Sequence, residues 1–587
     1  MTTVNYPDDS IFRSEFREGM RVDWDVPIPM DDGVVLRANV YRPDDEGKYP
    51  VIMSHGPYGK DLHFEEIYKT CWDLMCENHP DVPAGSTNIH QSWEVADPEK
   101  WVPHGYVIIR VDSRGAGRSP GYLEHFGPRE NQDFFDCIEW AGVQPWSNGK
   151  VGLSGISYYA VNQWSVAAMG PKHLAAICPW EGFNDFYREL SYHGGIYSSF
   201  QRHWYDKQIM PIQHGYGDRG FKSRANGELA AGPETLSDEE LKKNRFDLHG
   251  EFSSHPFDDE YYAVRTPDLS KITVPVLSCA NWGGAPLHPR GNFNGYMHSS
   301  SEKKWLEVHG LEHWSLYYTD YGNDLQKRFF DCFLKDDDSG WKDQPRVSLN
   351  VRSEGEKFYL RGEEDWPIPR TEWTKFYLKS DGYLLSPQEQ VGEENISYKS
   401  TGDGVTFVSN PMEKDTEFCG PIASKIWVSS DTKDADLFLV VRVFTPDFKE
   451  VVFHGALDPH TPVASGWLRA SHRALDKDRS TEWAPFHTHK KAEPLTPGEI
   501  YELDIEIHAS GMVIPEGYRV ALSIRGRDYV YPGEPDAGLS NMKNQFTGVG
   551  PFLHDDLNNR PEDVFDNQVT IHIGPDRPSY LLLPIVS

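Results

Sequence analysis

The stretch of this chain best suited to nucleophilic chemistry is Val151-Gly152-Leu153-Ser154-Gly155-Ile156-Ser157-Tyr158-Tyr159-Ala160. An aliphatic strand pattern runs into a Gly-x-Ser turn, and small residues (Ala160, Ala167, Ala168) follow in a helical pattern. A serine on such a turn stands above a sheet edge, and small neighbours let strand and helix approach. The backbone N–H of Tyr158 would then face an oxyanion forming on a carbonyl attacked by Ser157. Tyr159 stands where such an elbow usually carries a second glycine, and Ser154, a rival by position, falls inside the strand. Serine also needs a base, which a parallel-sheet hydrolase places after its last strand. Trp305-Leu306-Glu307-Val308-His309-Gly310-Leu311-Glu312-His313 supplies a strand, a glycine and then His313 in a loop. His309 still belongs to the strand.

These side chains need a sheet to carry them. From about Val34 to Leu334, short apolar runs alternate with longer helical patterns. The runs are Tyr49 to Met53, Gly105 to Val111, Val151 to Leu153, Leu174 to Cys178, Val274 to Cys279 and Trp305 to Val308. Continuous aliphatic runs separated by helices predict an α/β fold whose parallel strands are buried on both faces. Between Asn131 and Ala141, residues Phe134, Ile138 and Ala141 share one helical face. Two insertions interrupt the alternation, at about 61–100 (with Trp72, His79 and Trp93) and at about 187–268. Connections of that length predict lids or binding elements. After Lys335-Asp336-Asp337-Asp338-Ser339-Gly340, a solvated boundary, period-2 strands run from Arg346 to Val586 and predict an all-β sandwich.

Composition narrows the partners. Of 587 residues, 58 are Lys or Arg and 90 are Asp or Glu, a formal net charge of −32. Such a polyanion repels phosphate backbones and anionic lipid, so neither nucleic acid nor membrane is an expected partner. The 13% aromatic content suits a large buried core. Seven scattered cysteines without a C-x-x-C pair argue against a disulfide framework or a thiolate zinc site. Met1 to Pro29 lacks an apolar signal region, and no apolar run approaches the ~18 residues of a membrane span. The expectation is a soluble, cytoplasmic protein. His487-Thr488-His489 has no third ligand at metal spacing, so no metal is expected.

Three linked motifs carry a family resemblance. Asp112-Ser113-Arg114-Gly115-Ala116-Gly117-Arg118-Ser119, then Gln144-Pro145-Trp146-Ser147-Asn148-Gly149-Lys150-Val151-Gly152, then Gly155-Ile156-Ser157-Tyr158 resemble the X-prolyl dipeptidyl-peptidase and cocaine-esterase family of serine hydrolases. Ala464-Ser465-Gly466-Trp467-Leu468-Arg469-Ala470-Ser471-His472-Arg473 is similar to that family's C-terminal domain. The resemblance implies an α/β-hydrolase core (1–186 and 269–338), an inserted helical cap (187–268) and a C-terminal jelly-roll, galactose-binding-like β-sandwich (339–587). It also implies that Tyr58, after the strand Val51 to Met53, donates its phenol to the oxyanion. Lys60, next to that turn, reads as a solvated or gatekeeping charge.

The acid departs from the family pattern. Its expected place, two residues after Trp282, is Gly284, and no Asp or Glu occurs from Val274 to Ser301. Glu181, Glu307 and Glu312 are the replacements weighed, with Glu181 preferred because it follows the sixth strand; a dyad without any acid stays open. His288 and Arg290, in the loop where the acid should be, either touch substrate or tie the loop down.

The resulting expectation is a serine hydrolase that cleaves a small-molecule carboxylic ester or activated amide. Ser157 is nucleophile, His313 base and Glu181 acid, Tyr58 and the Tyr158 N–H form the oxyanion hole, and no cofactor is needed. The alternatives are an X-Pro dipeptidyl aminopeptidase, a lyase or acyltransferase using the same Ser–His site, and a carbohydrate-binding or scaffolding protein. Assembly as a homodimer is left open.

Overall fold

The computed structural model describes residues 11–534 and 547–587. The first ten residues of the Met1 to Pro29 stretch, and twelve residues of the expected C-terminal unit, lie outside them. The central sheet runs in the order Arg13–Arg17, Met20–Pro29, Val35–Arg42, Val107–Asp112, Tyr49–Gly56, Ser147–Ile156, Leu174–Trp180, Val276–Asn281, Lys304–His309. The last six are mutually parallel and correspond to the six apolar runs. The first three are antiparallel, and sequence reasoning missed them. Their signal was present, because Val22, Trp24, Val26 and Ile28 alternate along Met20–Pro29 and are all buried.

The carboxyl ends of Tyr49–Gly56, Ser147–Ile156 and Leu174–Trp180 lie side by side, which is where an open α/β sheet presents its functional loops. Helix Tyr158–Met169 follows the middle strand and is buried on every side from Tyr158 to Ala167, polar Asn162, Gln163 and Ser165 included. Helix Pro128–Gly142 is one-sided as expected, with Phe134, Ile138 and Ala141 buried. Residues between Leu174–Trp180 and Val276–Asn281 form short helical turns and a small hairpin, Tyr192–His193 with Ile196–Tyr197.

The C-terminal domain is all-β apart from a few short helical turns. Its first strand, Val347–Ser353, extends the central sheet parallel to Lys304–His309. The expected two-layer sandwich is joined along its edges. Hydrogen-bonded neighbours run Thr371–Lys379, Tyr580–Val586, Thr416–Ser430, Tyr501–Ile514, Ala464–Arg469, Asp436–Phe444, Arg519–Arg525, Val405–Ser409, Leu384–Ser386 and back to Thr371–Lys379. The closure has a local cause. Thr416–Ser430 is 15 residues long and bulged between Gly420 and Ile422, so it bends enough to pair in more than one direction.

None of the seven cysteines forms a disulfide. No helix among the described residues is long and apolar enough to cross a membrane.

Candidate active site

Ser157 ends the strand Ser147–Ile156 and precedes the helix Tyr158–Met169, with φ +58° and ψ −113°. A non-glycine residue held there costs about 1–3 kcal/mol, and the surrounding bonds must impose it. They do so from both sides. Ser157 N–H donates to the Trp180 carbonyl (3.1 Å), and Ile156 N–H donates to the Glu94 carbonyl (3.0 Å). Tyr159, in place of the usual glycine, fits because the small residues lie opposite it. A Cβ on Gly56 would sit 2.7 Å from the Tyr159 ring. Likewise a Cβ on Gly182 would sit 2.7 Å from Ala160 Cβ, so that glycine lets helix and sheet close together. Ser154 lies within the strand, as expected, and its hydroxyl is fully engaged by Tyr317 Oη (2.9 Å) and Gln326 Oε1 (2.7 Å).

Glu181 is the weighed carboxylate that meets His313. Its Oε2 accepts His313 Nδ1–H at 2.7 Å, and its Oε1 lies 3.1 Å from His309 Nε2. Burial would raise the Glu181 carboxyl, but the two imidazoles outweigh it and hold it at about 2. Glu307 binds His309 Nδ1 (2.7 Å) rather than His313, while Glu312 Oε1 meets Asn78 (3.4 Å). Gly284 leaves room for this carboxylate. A Cβ built there would lie 3.6 Å from Glu181 Oε2, so the Glu181 carboxylate fills the space beside a residue that has no side chain.

His288, which the sequence left between touching substrate and tying the loop down, and Glu94, which it did not single out, complete the centre. Ser157 Oγ lies 3.1 Å from His288 Nε2, not on His313. The His288 ring is parallel to that of His313, with centroids 5.2 Å apart, and stacks on Phe183 behind it. Burial and then the neighbouring His313 push the His288 imidazole well below its ordinary value, and its buried Nδ1 has no partner. His313 Nε2 is bound by Glu94 Oε1 at 3.1 Å. Burial opposes protonation of His313, yet Glu181 and Glu94 together raise it to about 10. Glu94 itself is pushed up to about 7, chiefly by burial. The result is an alternating chain, Glu307–His309–Glu181–His313–Glu94, whose last member lines the cavity over Ser157. Glu94 was legible only as a lone acid in an aromatic-apolar run, and His288 as one of two candidates in the acid loop.

The cavity has a volume of about 260 Å³ and is lined mostly by apolar side chains from the core, the cap (Phe200, Trp204) and the β-domain (Leu457, Phe552). Tyr58 lines it too. Its oxygen accepts the Trp204 indole N–H (2.9 Å), and burial, then the Glu94 carboxylate, raise its phenol well above the usual value, so it stays a proton donor. Tyr158 begins the helix, so its backbone N–H has no intrahelical acceptor. Its side chain is anchored on both oxygens of Glu130 (2.7 Å each). The β-domain also braces the catalytic loops. His313 N–H donates to the Ala456 carbonyl (3.2 Å), and Ala456 N–H to the Gly283 carbonyl (2.8 Å).

Lys60 is not solvated. It is buried between Asp25 (2.9 Å) and Asp61 (2.7 Å), while Asp112 accepts the Lys60 backbone N–H (2.7 Å). The Asp112 to Ser119 motif therefore fastens the Tyr58 loop to the sheet. Arg290 ties the cap to the β-domain through Glu189 (2.8 Å) and Glu506 (2.9 Å).

An elbow serine under a largely apolar cavity, beside a carboxylate-oriented imidazole, defines a serine hydrolase with an α/β catalytic core. Residues 32–315 match the model of X-Pro dipeptidyl-peptidase (S15 family), and residues 339–582 that of the X-Pro dipeptidyl-peptidase C-terminal non-catalytic domain. The chain is similar to a CocE/NonD family hydrolase from Staphylococcus aureus of known structure, at 32% identity and a TM-score of 0.82, covering 97% of this chain and 94% of that one. It is 23% identical to the cocaine esterase of Rhodococcus sp. (strain MB1 Bresler) over 96% of this chain and 98% of that protein. It is 20% identical to a putative Xaa-Pro dipeptidyl-peptidase of Bacillus anthracis, over 89% of this chain and 85% of that one. The chain belongs to the X-Pro dipeptidyl-peptidase and cocaine-esterase family of hydrolases.

Proposed function

We propose that the protein hydrolyses a carboxylic ester with an apolar body through an acyl-enzyme on Ser157. The 2.7 Å Glu181–His313 pair beside the strained serine carries this reading. His313 is the imidazole able to hold a proton, since Glu181 faces its Nδ1, whereas His288 has no acceptor on Nδ1. In this reading His288 parks the serine hydroxyl, and rotation about Ser157 χ1 delivers it to His313 Nε2 once Glu94 carries the proton the pair shares. Tyr58 and the Tyr158 N–H receive the oxyanion, each donor being worth about 10²–10³ in rate. His313 then protonates the leaving group.

An ester fits better than a peptide with a free amine. The one carboxylate among the cavity-lining residues, Glu94, is committed to His313 rather than available as an amine clasp. A small-molecule substrate, a jelly-roll class for the β-domain and a cytoplasmic setting belong to the same reading, the last supported by seven cysteines that form no disulfide. The test is labelling with a fluorophosphonate, followed by turnover of an aryl ester in ¹⁸O water. An adduct on Ser157 that is lost in Ser157→Ala, and ¹⁸O in the released acid, are expected. An unlabelled acid or no adduct would turn the reading toward acyl transfer, lyase chemistry or binding.

A further inference from the structure

The hydroxyl of Tyr58 is met by an indole from the cap. Trp204 Nε1–H donates to Tyr58 Oη at 2.9 Å, and both side chains are buried, at 6% and 4% exposed. The Tyr58 ring is held edge-on by Tyr158 (5.8 Å) and Tyr159 (5.7 Å), contacts that set the ring plane but not the direction of the hydroxyl hydrogen. The indole does that. An N–H on one side of the oxygen turns the O–H to the other, and accepting a bond makes the phenol a stronger donor in a low-dielectric site. Tyr58 and Ser157 line the same cavity. Trp204 is itself held from two directions. Its ring stacks on Phe126 (6.3 Å) and Tyr158 (6.2 Å). Its helix, Phe200–Trp204, is fastened to the β-domain by Ser199 N–H on the Leu553 carbonyl (2.9 Å), by the Phe200–Phe552 ring pair (4.9 Å) and by Arg202 with Asp556 (2.9 Å). A π-helical turn, Tyr205–Ile209, follows directly, a distortion that often accompanies functional positions.

We propose that Trp204 is a positioning residue of the oxyanion hole, aiming and polarising the Tyr58 hydroxyl. The proposal rests on the reading of Tyr58 as an oxyanion donor and adds the group that prepares it. As Ser157 attacks, charge grows on the carbonyl oxygen. The Tyr58 O–H must already point there, because a donor that reorients during the reaction forfeits its advantage. Without the indole, the hydroxyl is free to rotate and its oxygen loses the bond that polarises it. The hole is therefore assembled from separate units, with Tyr58 from the core, Trp204 from the cap and the β-domain holding the cap helix. The Trp204 ring also forms part of the apolar cavity wall. That contact serves bound substrate and transition state alike, whereas the N–H acts on the transition state.

The experiment is a double-mutant cycle on the full-length enzyme, with Trp204→Phe and Tyr58→Phe made singly and together and p-nitrophenyl acetate as substrate. Trp204→Phe is expected to lower kcat about 3–30-fold, between the effect of weakening one donor and that of losing it, with KM within about threefold. The inhibition constant of an aryl trifluoromethyl ketone, whose serine adduct carries the oxyanion, should rise by a similar factor. In the Tyr58→Phe background the same substitution should change kcat by less than about twofold. An equal kcat loss with and without the Tyr58 hydroxyl, or no loss at all, would overturn the role. Benzothienylalanine at residue 204, which keeps the indole outline and lacks the N–H, guards against misfolding: a folded protein carrying it with full kcat also overturns the role. Near-full kcat in Tyr58→Phe alone would instead remove the oxyanion reading of Tyr58 on which the proposal stands.

Discussion

Moving the acid back tests the site most directly. In Glu181→Ala, His313 loses the 2.7 Å acceptor that fixes its tautomer. Against burial, Glu181 and Glu94 raise His313 from 6.5 to about 10, with Glu181 the stronger contributor. Losing the stronger of these two partners removes the larger share of the imidazolium stabilisation, and each pKa unit lost costs about 1.4 kcal/mol, or about one decade in rate. Loss of the tautomer deepens the deficit toward the about 10⁴ seen when such an acid is neutralised. The expected fall in kcat/KM on a p-nitrophenyl ester is therefore about 10²–10⁴. Gly284→Asp in the same background should recover at least about one decade. Gly284 is outside the left-handed region, and a Cβ there meets Pro289 Cδ at 3.3 Å and His288 Cβ at 3.7 Å, leaving the vacated Glu181 space ahead of it. Gly284→Asp alone should instead lose stability, because two carboxylates would then compete for one space. Initial rates, with thermal midpoints as a folding control, decide the matter. A folded Glu181→Ala/Gly284→Asp protein no faster than Glu181→Ala, or a Glu181→Ala enzyme with near-full activity, would refute the reasoning.

The remaining predictions concern the oxyanion and the domain junction. Tyr58→Phe should lower kcat about 10²–10³-fold with little change in KM, since the lost bond is made mainly in the transition state; an equal loss in 1/KM would instead mark a packing role. His193, His472, His487, His489 and His508, buried where cap and β-domain meet, are held below the ordinary imidazole value, with burial the leading cause. Their folded pKa values lie below the unfolded one, so the stability they allow is complete above pH ~6.5 and declines as the pH falls, by about 1.4 kcal/mol per group and pH unit. The raised carboxyls of Glu94, Asp112, Glu130 and Glu189 act in the opposite sense, and of these only Glu189 lies at the junction. Proteolysis within 187–268 should accordingly accelerate between pH 7 and 5.5, and an unchanged cleavage rate there would discount the junction as the acid-sensitive element.

The elements that place Ser157 and His313 were legible because local pattern dictates them. A strand, a Gly-x-Ser turn and a helix leave little choice of geometry, and a strand followed by a Gly-containing loop carries His313. Less could be read where the deciding quantity is a distance between segments far apart in the chain. Glu94 and His288 reach the centre from residues 63 before and 131 after Ser157, and nothing in their neighbours specifies that approach. Lys60 was misjudged for the same reason. Its burial is tolerable only because Asp25 and Asp61 converge on it, and that convergence belongs to the fold. The nine-strand circuit likewise depends on a bulge that leaves Thr416–Ser430 bent, whereas period-2 alternation reports only that strands exist.

The position of Glu181 follows from the register of two neighbouring strands. Leu174–Trp180 and Val276–Asn281 pair in parallel with Trp180 opposite Cys279, and Glu181 N–H then donates to the Cys279 carbonyl at 2.7 Å. The ends of these strands are thus adjacent, so a carboxylate launched from either can reach the same imidazole. Launching it from Glu181 requires a left-handed backbone there (φ +53°) and an empty neighbour at residue 284. It also brings a gain that the other strand would not supply as directly. Glu181 can face His309 and His313 at once, which joins Glu307 at one end to Glu94 at the other. Glu181 therefore does more than pair with one imidazole. It extends a two-residue pair into a five-member chain of alternating charge, and that chain ends on a carboxyl inside the substrate cavity.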